Sequence, residues 1–585
     1  MIQMMKRDFQ LSLFCCCPWK TDHGQLAVDK YHVSFGQSCA LCDIGLCETD
    51  FTGKLLGHLA RNLSLHGHSL CTSLRPLPDS FFPDSQRAHV HCHSDDKGNI
   101  YTMIKTIEQW LTGKRLLIIL TMAAAVWFSF TAVMTVLRYR LNYASAYDFG
   151  IFSQMYYYMD KGLSPLTTCE RDGLLSHFAV HLSPVFYVLL PFYKLVPRPE
   201  TLLVLQSLVA ISGMVPLCLL ARTFCFTRLQ TLCFGLMYCF YPAFMGGCFY
   251  DFHENKFLAV IILWCMYFLE TGHFKSMLAS AALLLMVKED APVYAACIGL
   301  YLFLWKKQYR WGAIVFLASC AYFCMAVWYI NKFGDGAMIN RFDNFISDKR
   351  LGLASMFKTI LVNPAYVLSQ IAVKDKIMFF LEMLLPLGFL PLMTKDWQKW
   401  TLLIPFVLIN LMSNYIYQHS IYFQYTYGSG ALLIYLALVN FRDIKNAPGR
   451  RRKGGDGYDG RLPATVCAWG LLCGLVLMGG VMYSKSKYAV LYHRYHEEAA
   501  QARTLLDQIP PDASVKSSTF FLPQLSMRDE VYLLTSSHPA DYMVVDLREG
   551  YEKDLEQILS DCREQGYEPA GTVDGYVALL KQDVE

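Results

Sequence analysis

The chain has 585 residues, of which 54% are hydrophobic and only 17% are charged, and its mean hydropathy of +0.27 excludes an ordinary soluble domain. The net charge of +4 is too small to indicate a nucleic-acid-binding protein. Apolar segments of about 20 residues recur, which is the length that crosses a bilayer as a helix. We therefore predict a mainly α-helical polytopic membrane protein, because a membrane barrel would show alternating segments of about ten residues instead.

The first hundred residues differ in kind from the rest. They hold 8 of the 21 Cys and 8 of the 16 His and show no helical or strand periodicity. A zinc cluster of Cys39, Cys42 and Cys47 with His32 is an alternative, but it lacks a second CxxC pair at the expected spacing. We expect residues 1–102 to be a disordered tail or an extension upstream of a start near Met103, and a signal-peptide pattern is absent.

Eleven apolar segments are predicted to span the membrane. In chain order they are 116–137, 200–221, 229–249, 257–270, 275–287, 291–305, 311–330, 377–394, 401–417, 425–441 and 463–483. A further apolar stretch, 178–196, contains Pro184, Pro191 and Pro197 and is either a span or a re-entrant segment.

Basic residues in the short loops set the orientation. The loop 442–462 carries Arg450 to Lys453 and is the strongest positive-inside marker, which places it in the cytoplasm. With the amino-terminal lysines also inside, the segment 178–196 must remain outside without crossing. The alternative, a full crossing there, would separate Asp148 from Asp251 or turn the amino terminus outwards.

The membrane domain is predicted over residues 103–484 and a small soluble α/β domain over 485–585. In that second domain we expect helices at 497–507 and 553–565 and strands at 531–534, 542–546 and 576–581. The orientation predicts that it lies outside a bacterial cytoplasmic membrane.

Polar clusters stand at the ends of apolar segments, and the orientation places all of them on the external side. They are Tyr147 to Gly150, His177 to Pro184, Tyr250 to Glu254, Lys288 to Asp290 and Gln418 to Tyr425. Charged groups next to lipid are costly and usually functional, so the clusters indicate one shared site. Glu382, deep in a predicted span, must face the bundle interior or a wet cavity.

Each cluster has an alternative interpretation. Asp251, His253 and Glu254 are predicted to hold a divalent cation, which orients a phosphate. His177 and His181 are four residues apart and could ligate a metal, although the glutamate of an HExxH motif is missing, or they could satisfy backbone groups freed by the prolines. Lys288 suits a lipid-linked phosphate, or it pairs with Glu289 or Asp290.

The motifs YDFGIF from Tyr147, HLSP from His181, LLVLQ from Leu202, YDFHE from Tyr250 and VKED from Val287 occur in that order. Together with IPPDASV at 509–515 and ADYMVVD at 540–546, they make residues 115–585 resemble the bacterial membrane family DUF2079. That family is similar in outline to the GT-C glycosyltransferases, which use polyprenyl-phosphate sugars and carry a catalytic acid in the first external loop. The single acid, Asp148, followed by Phe149, departs from the paired acids of those enzymes.

The resemblance implies that Asp148 is the catalytic acid and that the protein transfers a sugar from a polyprenyl-phosphate donor to an acceptor on the outer face of the membrane. The substrate- and phosphate-binding residues are then predicted to be Lys288, His177, His181 and Tyr422. A transporter or flippase is the alternative, although transporters place polar residues near mid-membrane in repeated halves. A non-enzymatic membrane protein with an external binding domain is the third interpretation.

Overall fold

A computed structural model describes residues 96–336, 339–446 and 461–583 of the chain. The cysteine-rich stretch before residue 96 and the basic run 450–453 lie outside these residues. The described residues from Lys97 onwards belong to one structural unit. The last residues of the predicted amino-terminal extension fall within the first described helix, which begins at Asp96.

The protein is mainly helical. Its helices before the carboxyl-terminal domain are α1 Asp96–Trp110, α2 Gly113–Arg140, α3 Ile151–Gly162, α4 Phe186–Tyr193, α5 Pro199–Ser212, α6 Met214–Thr223, α7 Arg228–Cys239, α8 Pro242–Cys248, α9 Lys256–Glu270, α10 Phe274–Leu285, α11 Ala291–Leu304, α12 Tyr309–Phe333, α13 Leu353–Val362, α14 Pro364–Ile371, α15 Lys374–Leu384, α16 Tyr427–Asn446 and α17 Arg461–Leu506.

Five of the described helical segments are long and apolar enough to cross a membrane, namely Gly113–Arg140, Pro199–Thr223, Arg228–Cys248, Tyr309–Phe333 and Thr465–Leu506. Their outward faces expose many large apolar side chains, for example Leu117, Met122 and Leu317. Exposure of so much apolar surface to water is unfavourable. This pattern is that of lipid-facing helices, and it confirms the predicted fold class.

The middle of the bundle is formed by α16, whose side chains are buried from Tyr427 to Phe441. A helix that is apolar on every side must be surrounded by other helices, and α9 packs along it with ten buried residues of its own. Local signals set the helix starts. Thr227 and Gln230 form a reciprocal capping box on α7, and Thr112 caps α2.

Three predicted segments are not continuous helices. The stretch 178–196 contains only α4, whose eight residues measure about 12 Å, too short for a core of roughly 30 Å. It therefore does not cross as a regular helix, as the orientation required. Segments 377–394 and 401–417 are also broken. Pro386 lies in the 3-10 turn that follows the end of α15, and Pro391 lies in a second 3-10 turn. Pro405 stands between a 3-10 and a π-helical stretch.

The carboxyl-terminal domain is a five-stranded mixed sheet with two helices. Its elements are β3 Val515–Ser517, α18 Leu522–Leu525, β4 Val531–Leu533, β5 Tyr542–Asp546, α19 Leu555–Glu564, β6 Tyr567–Val573 and β7 Val577–Gln582, after the small hairpin β1 Leu166–Thr167 and β2 Leu175–Ser176 in the first loop. The order is β4, β3, β5, β7, β6, parallel over the first three strands and antiparallel after them. The predicted helix at 497–507 is the part of α17 that follows a kink at Tyr495, where φ is −124° and ψ is 15°.

This domain packs on α3 and on the turn that precedes it. Ser526 Oγ and Ser153 Oγ lie 2.8 Å apart, and Gln154 Nε2 donates to the carbonyl oxygen of Arg528 at 3.2 Å. The backbone amide of Ala146 donates to the carbonyl oxygen of Thr519 at 2.8 Å. The domain thus fixes the start of the first loop against the bundle.

Candidate functional site

A cavity of about 270 Å³ opens where the turns after α2, α8 and α12 meet the hairpin β1–β2 and the segment before α16. Its aromatic wall includes Phe152, Tyr250, Tyr415 and Tyr425. The charged and imidazole-bearing residues that line it are Asp148, Glu170, Arg171, His177, His181, His253 and Arg341. Small volume, aromatic walls and a few converging polar groups are typical of a ligand site.

Asp148 lies in the turn between α2 and α3 with φ +73° and ψ −79°. These dihedrals match those of the rare γ-turn with positive φ, which is strained for a residue that has a Cβ. The side chain is 23% exposed, and its Oδ1 lies 3.9 Å from Nε2 of His253. Strained backbone positions cluster at active sites and ligand clamps, so this turn makes Asp148 a candidate functional residue.

Asp251 also has a positive φ, +107°, but its surroundings differ. Its carboxylate forms an ion pair with Arg138 at the end of α2, and its carbonyl oxygen accepts from Nζ of Lys256 at 2.7 Å. Burial raises the pKa of Asp251 to about 6, although Arg138 opposes this. The side chain is buried and is not part of the cavity wall.

His253, Glu254 and Lys288 form a buried chain behind Asp148. Nδ1 of His253 lies 2.9 Å from Oε2 of Glu254, and Nζ of Lys288 lies 2.9 Å from Oε1 of the same carboxylate. Burial alone would raise the pKa of Glu254, but His253 and Lys288 hold it well below its usual range. Glu254 is therefore ionised and shared between its two partners.

His177 and His181 lie on the opposite side of the cavity, with their ring centroids 5.9 Å apart. Nδ1 of His177 is 2.9 Å from Oε2 of Glu170, and Nδ1 of His181 is 2.8 Å from Oε1 of Glu289. Their partners are carboxylates rather than the freed backbone groups of the alternative interpretation.

The structure brings some of the predicted site residues together and leaves others apart. Asp148, His177, His181 and His253 line one cavity. Lys288 is buried, and its partner is Glu254 rather than either sequence neighbour. Tyr422 is partly exposed beside Lys485, whose Nζ is 5.2 Å from the ring, and does not line the cavity.

The predicted cation ligands do not converge. Asp251 is paired with Arg138, whereas Nδ1 of His253 lies 2.9 Å from Oε2 of Glu254. Across the described ranges, no group of three or more His, Cys, Asp or Glu side chains could hold a metal ion. The metal assignment remains a prediction.

Three charged residues of the wall, Glu170, Arg171 and Arg341, were not predicted as site residues. Glu170 precedes His177 by seven residues, and the hairpin β1–β2 folds it back onto that ring. The guanidinium of Arg341 lies over the rings of Tyr415 and Tyr425, 4.6 and 5.3 Å from their centroids. Nothing in the sequence distinguishes Arg341 from Arg350, which lies in the same loop, as a residue that meets this aromatic cluster.

Gly334, just after α12, touches the turn that carries His177. A Cβ built on Gly334 would lie 1.8 Å from the carbonyl oxygen of Ala179, a backbone atom that cannot move alone. We expect Gly334→Ala to destabilise the protein by about 1–3 kcal/mol, because the turn and the helix must separate. Thermal unfolding in detergent measures this. The control is Gly479→Ala in α17, where an added Cβ meets no atom within 4 Å. Equal thermal unfolding midpoints for the two variants would contradict the close contact between Gly334 and Ala179.

Comparison with known proteins gives one family and distant structures. The model of the family described as predicted membrane protein (DUF2079) matches residues 138–578. The crystal structure of ArnT from Cupriavidus metallidurans bound to undecaprenyl phosphate is similar at a TM-score of 0.46 and 11% identity, over 80% of this chain and 98% of that one. The crystal structure of ArnT from Cupriavidus metallidurans in the apo state has a TM-score of 0.37 and 11% identity, over 78% of this chain and 98% of that one. No curated protein matches the chain.

Proposed function

The chain belongs to the DUF2079 family of predicted membrane proteins, and we propose that it is a glycosyltransferase that moves a sugar from a polyprenyl-phosphate donor to an acceptor hydroxyl on the outer face of the membrane. The observation that carries the proposal is the carboxylate of Asp148. It lies on the wall of a cavity at the ends of membrane helices, in a strained turn.

Asp148 acts as the general base in this proposal. It takes the proton of the acceptor hydroxyl while that oxygen bonds to the anomeric carbon, and the bond from that carbon to the lipid phosphate breaks with inversion. The acid is suited to the task because its side chain is 23% exposed on the cavity wall, whereas Asp251 is buried against Arg138. The role proposed for Asp148 is thus distinct from that of Asp251.

Positively charged groups stabilise the negative charge that develops on the leaving phosphate, and the cavity wall carries such groups. Arg341 presents a planar guanidinium, which recognises phosphate through parallel hydrogen bonds. His177 and His181 add imidazole groups from the neighbouring turn. Lys288, predicted for this role, contributes instead by keeping Glu254 charged, since it does not reach the cavity wall.

We expect Arg341→Met to raise the dissociation constant for a polyprenyl-phosphate sugar by about tenfold to a hundredfold, the loss of one charge-assisted hydrogen bond. Arg350→Met is the matched control, because that arginine belongs to the same loop, is 91% exposed and pairs with Asp348. Equilibrium binding to purified protein in lipid nanodiscs measures the change, and transfer of labelled sugar to membrane acceptors is followed in the same samples.

Wild-type protein that neither binds nor transfers from any of a panel of polyprenyl-phosphate sugars would overturn the proposal. Passage of the intact labelled donor across a vesicle membrane, with no new glycosidic bond, would favour the transporter. Equal weakening by Arg341→Met and Arg350→Met would remove Arg341 from the phosphate site.

A further inference from the structure

The loop between α12 and α15 contains the two short helices α13 and α14. Their ten and eight residues measure about 15 and 12 Å, too short to cross a core of roughly 30 Å. The side chain of Asn363 accepts a hydrogen bond from the amide of Tyr366 at 3.2 Å, so the second helix begins directly after the first. The two helices therefore form one continuous unit that does not span the membrane.

The inner faces of both helices pack on the segment that carries Arg341. They contribute to one apolar cluster, which includes Phe345, Met356, Ile360, Tyr366 and Val367. The hydroxyl of Tyr366 also donates to the carbonyl oxygen of Asn344 at 2.8 Å. The helix pair is thus tied to the backbone three residues after the arginine of the cavity wall.

The outer faces of the two helices are apolar as well. Phe357 and Leu361, four positions apart on α13, and Leu368 on α14 are exposed, Leu361 to 82% and Leu368 to 67%. The hydroxyl groups of Thr359 and Ser369 donate to backbone carbonyl groups of their own helices. A helix whose outer face meets water carries polar side chains there. The outer face of this pair is instead suited to apolar surroundings.

The charged residues around this face are all basic. Residues 349–374 contain Lys349, Arg350, Lys358 and Lys374 and no Asp or Glu, and all four basic side chains are exposed. Exposed basic residues beside Leu and Phe are typical of helices that lie in a membrane interface, where the apolar side chains enter the acyl boundary and the cations meet anionic lipid head groups. A second copy of the chain on the same face would bring four more positive charges against these.

The chain on both sides of the helix pair carries apolar surface that faces outwards. α12 is long enough to cross a membrane and ends with exposed Trp328 and Phe333, and Nζ of Lys332 lies 5.0 Å from the centroid of the Trp328 ring. Aromatic and basic residues at a helix end are typical of a membrane boundary. After α14, Ile377 and Met378 continue the exposed apolar surface at the start of α15. The outer face of the pair is therefore continuous along the chain with lipid-facing surface.

We propose that α13 and α14 are a membrane-surface anchor, whose outer face lies in the interface of a bilayer that contains anionic phospholipids. Phe357, Leu361 and Leu368 lie among the acyl chains, and the basic side chains contact the lipid phosphates. The anchor lies on the side of the membrane where the cavity opens, because its inner face holds the segment of Arg341. It does not depend on the proposed function, since a transporter or a binding protein could carry the same anchor.

Fluorescence quenching in nanodiscs tests the contact with lipid. The full-length protein carries one environment-sensitive fluorescent amino acid in place of Leu361 or Leu368, in phosphatidylcholine and phosphatidylglycerol with brominated acyl chains. We expect the brominated chains to quench both positions about threefold more strongly than Gln557, an exposed position of α19 that serves as the control. Iodide in the water should quench both positions about threefold more weakly than the control.

Two results would overturn the anchor. Quenching of Leu361 and Leu368 equal to that of Gln557, by brominated chains and by iodide, would show that the outer face meets water. Protection of both positions from both quenchers would show that protein covers the face. In that case, loss of the protection in nanodiscs that hold a single copy would identify a second copy of the chain as the occupant.

The double variant Lys349→Gln with Lys358→Gln tests the lipid phosphates. We expect quenching at Leu368 by brominated chains to fall about twofold in nanodiscs with phosphatidylglycerol and to stay unchanged in phosphatidylcholine alone. The matched control changes two exposed lysines of the carboxyl-terminal domain, Lys553→Gln with Lys581→Gln, and should alter neither value. An equal decrease in both lipids, or no decrease in either, would overturn the proposed contact with anionic head groups.

Discussion

Replacement of Asp148 by asparagine is expected to lower the rate of sugar transfer by a factor of about 10² to 10⁴, the usual contribution of a general base. The amide has the shape of the carboxylate but cannot accept the proton of the acceptor hydroxyl. Asparagine also tolerates positive φ better than most residues. The strained turn and the bonds from the carboxyl-terminal domain should therefore survive, and the donor should still bind.

Asp148→Gly is the companion variant. Glycine removes the carboxylate and also the strain of the positive φ, so we expect a protein that is about 1 kcal/mol more stable and equally inactive. Transfer rates, donor binding and thermal midpoints measured together distinguish lost chemistry from lost structure. Wild-type rates in Asp148→Asn would contradict the role of this acid, and a lower midpoint in Asp148→Gly would show that the turn is unstrained.

Lys288→Met is expected to destabilise the protein by about 3–5 kcal/mol, because it leaves the buried carboxylate of Glu254 with one partner where it had two. Both side chains are almost fully excluded from solvent, so water cannot replace the lost ammonium. Unfolding in a graded series of denaturing detergent measures the change. The exposed Lys358 in α13 provides the control, since Lys358→Met should remain within about 0.5 kcal/mol of wild type.

The double variant Lys288→Met with Glu254→Gln tests the pair itself. Removing both charges deletes the attraction together with the cost of burying an unpaired ion, so part of the loss should be recovered. If the double variant is as unstable as the sum of the single variants, the two groups are not coupled. Equal midpoints for Lys288→Met and Lys358→Met would contradict the buried ion pair.

Most of the bundle could be predicted from apolar segment length alone, because only helices of about 20 residues satisfy the backbone in lipid. The method fails where proline enters an apolar run, as at Pro386 and Pro391, since hydropathy does not register the lost backbone donor. It also overlooked β3 and β6, which are short or half-exposed and become strands by pairing in the sheet. Pairing depends on partners far along the chain.

Only part of the candidate site could be predicted, because its contacts also join residues that lie far apart in the sequence. Asp148 and the histidines stand out, because each is polar at the end of an apolar segment. The partner of Lys288 could not be read from the sequence, because the turn that carries it points towards Glu254, 34 positions earlier, and away from its neighbours. Glu170 needed the hairpin β1–β2 to reach His177. Which polar groups meet is decided by the packing of turns.

The last helix, α17, has a mechanical consequence. It runs for 46 residues from the bundle into the carboxyl-terminal domain without a loop, and it is kinked at Tyr495, where φ is −124° and ψ is 15°. Long apolar helices tilt when the surrounding bilayer becomes thinner. The part before the kink, residues 461–494, measures about 51 Å, so a tilt of about 3° displaces its far end by about 3 Å. Because the domain beyond the kink bonds to Ala146, two residues before Asp148, we expect the thickness of the surrounding lipid to change the geometry of the turn that carries Asp148.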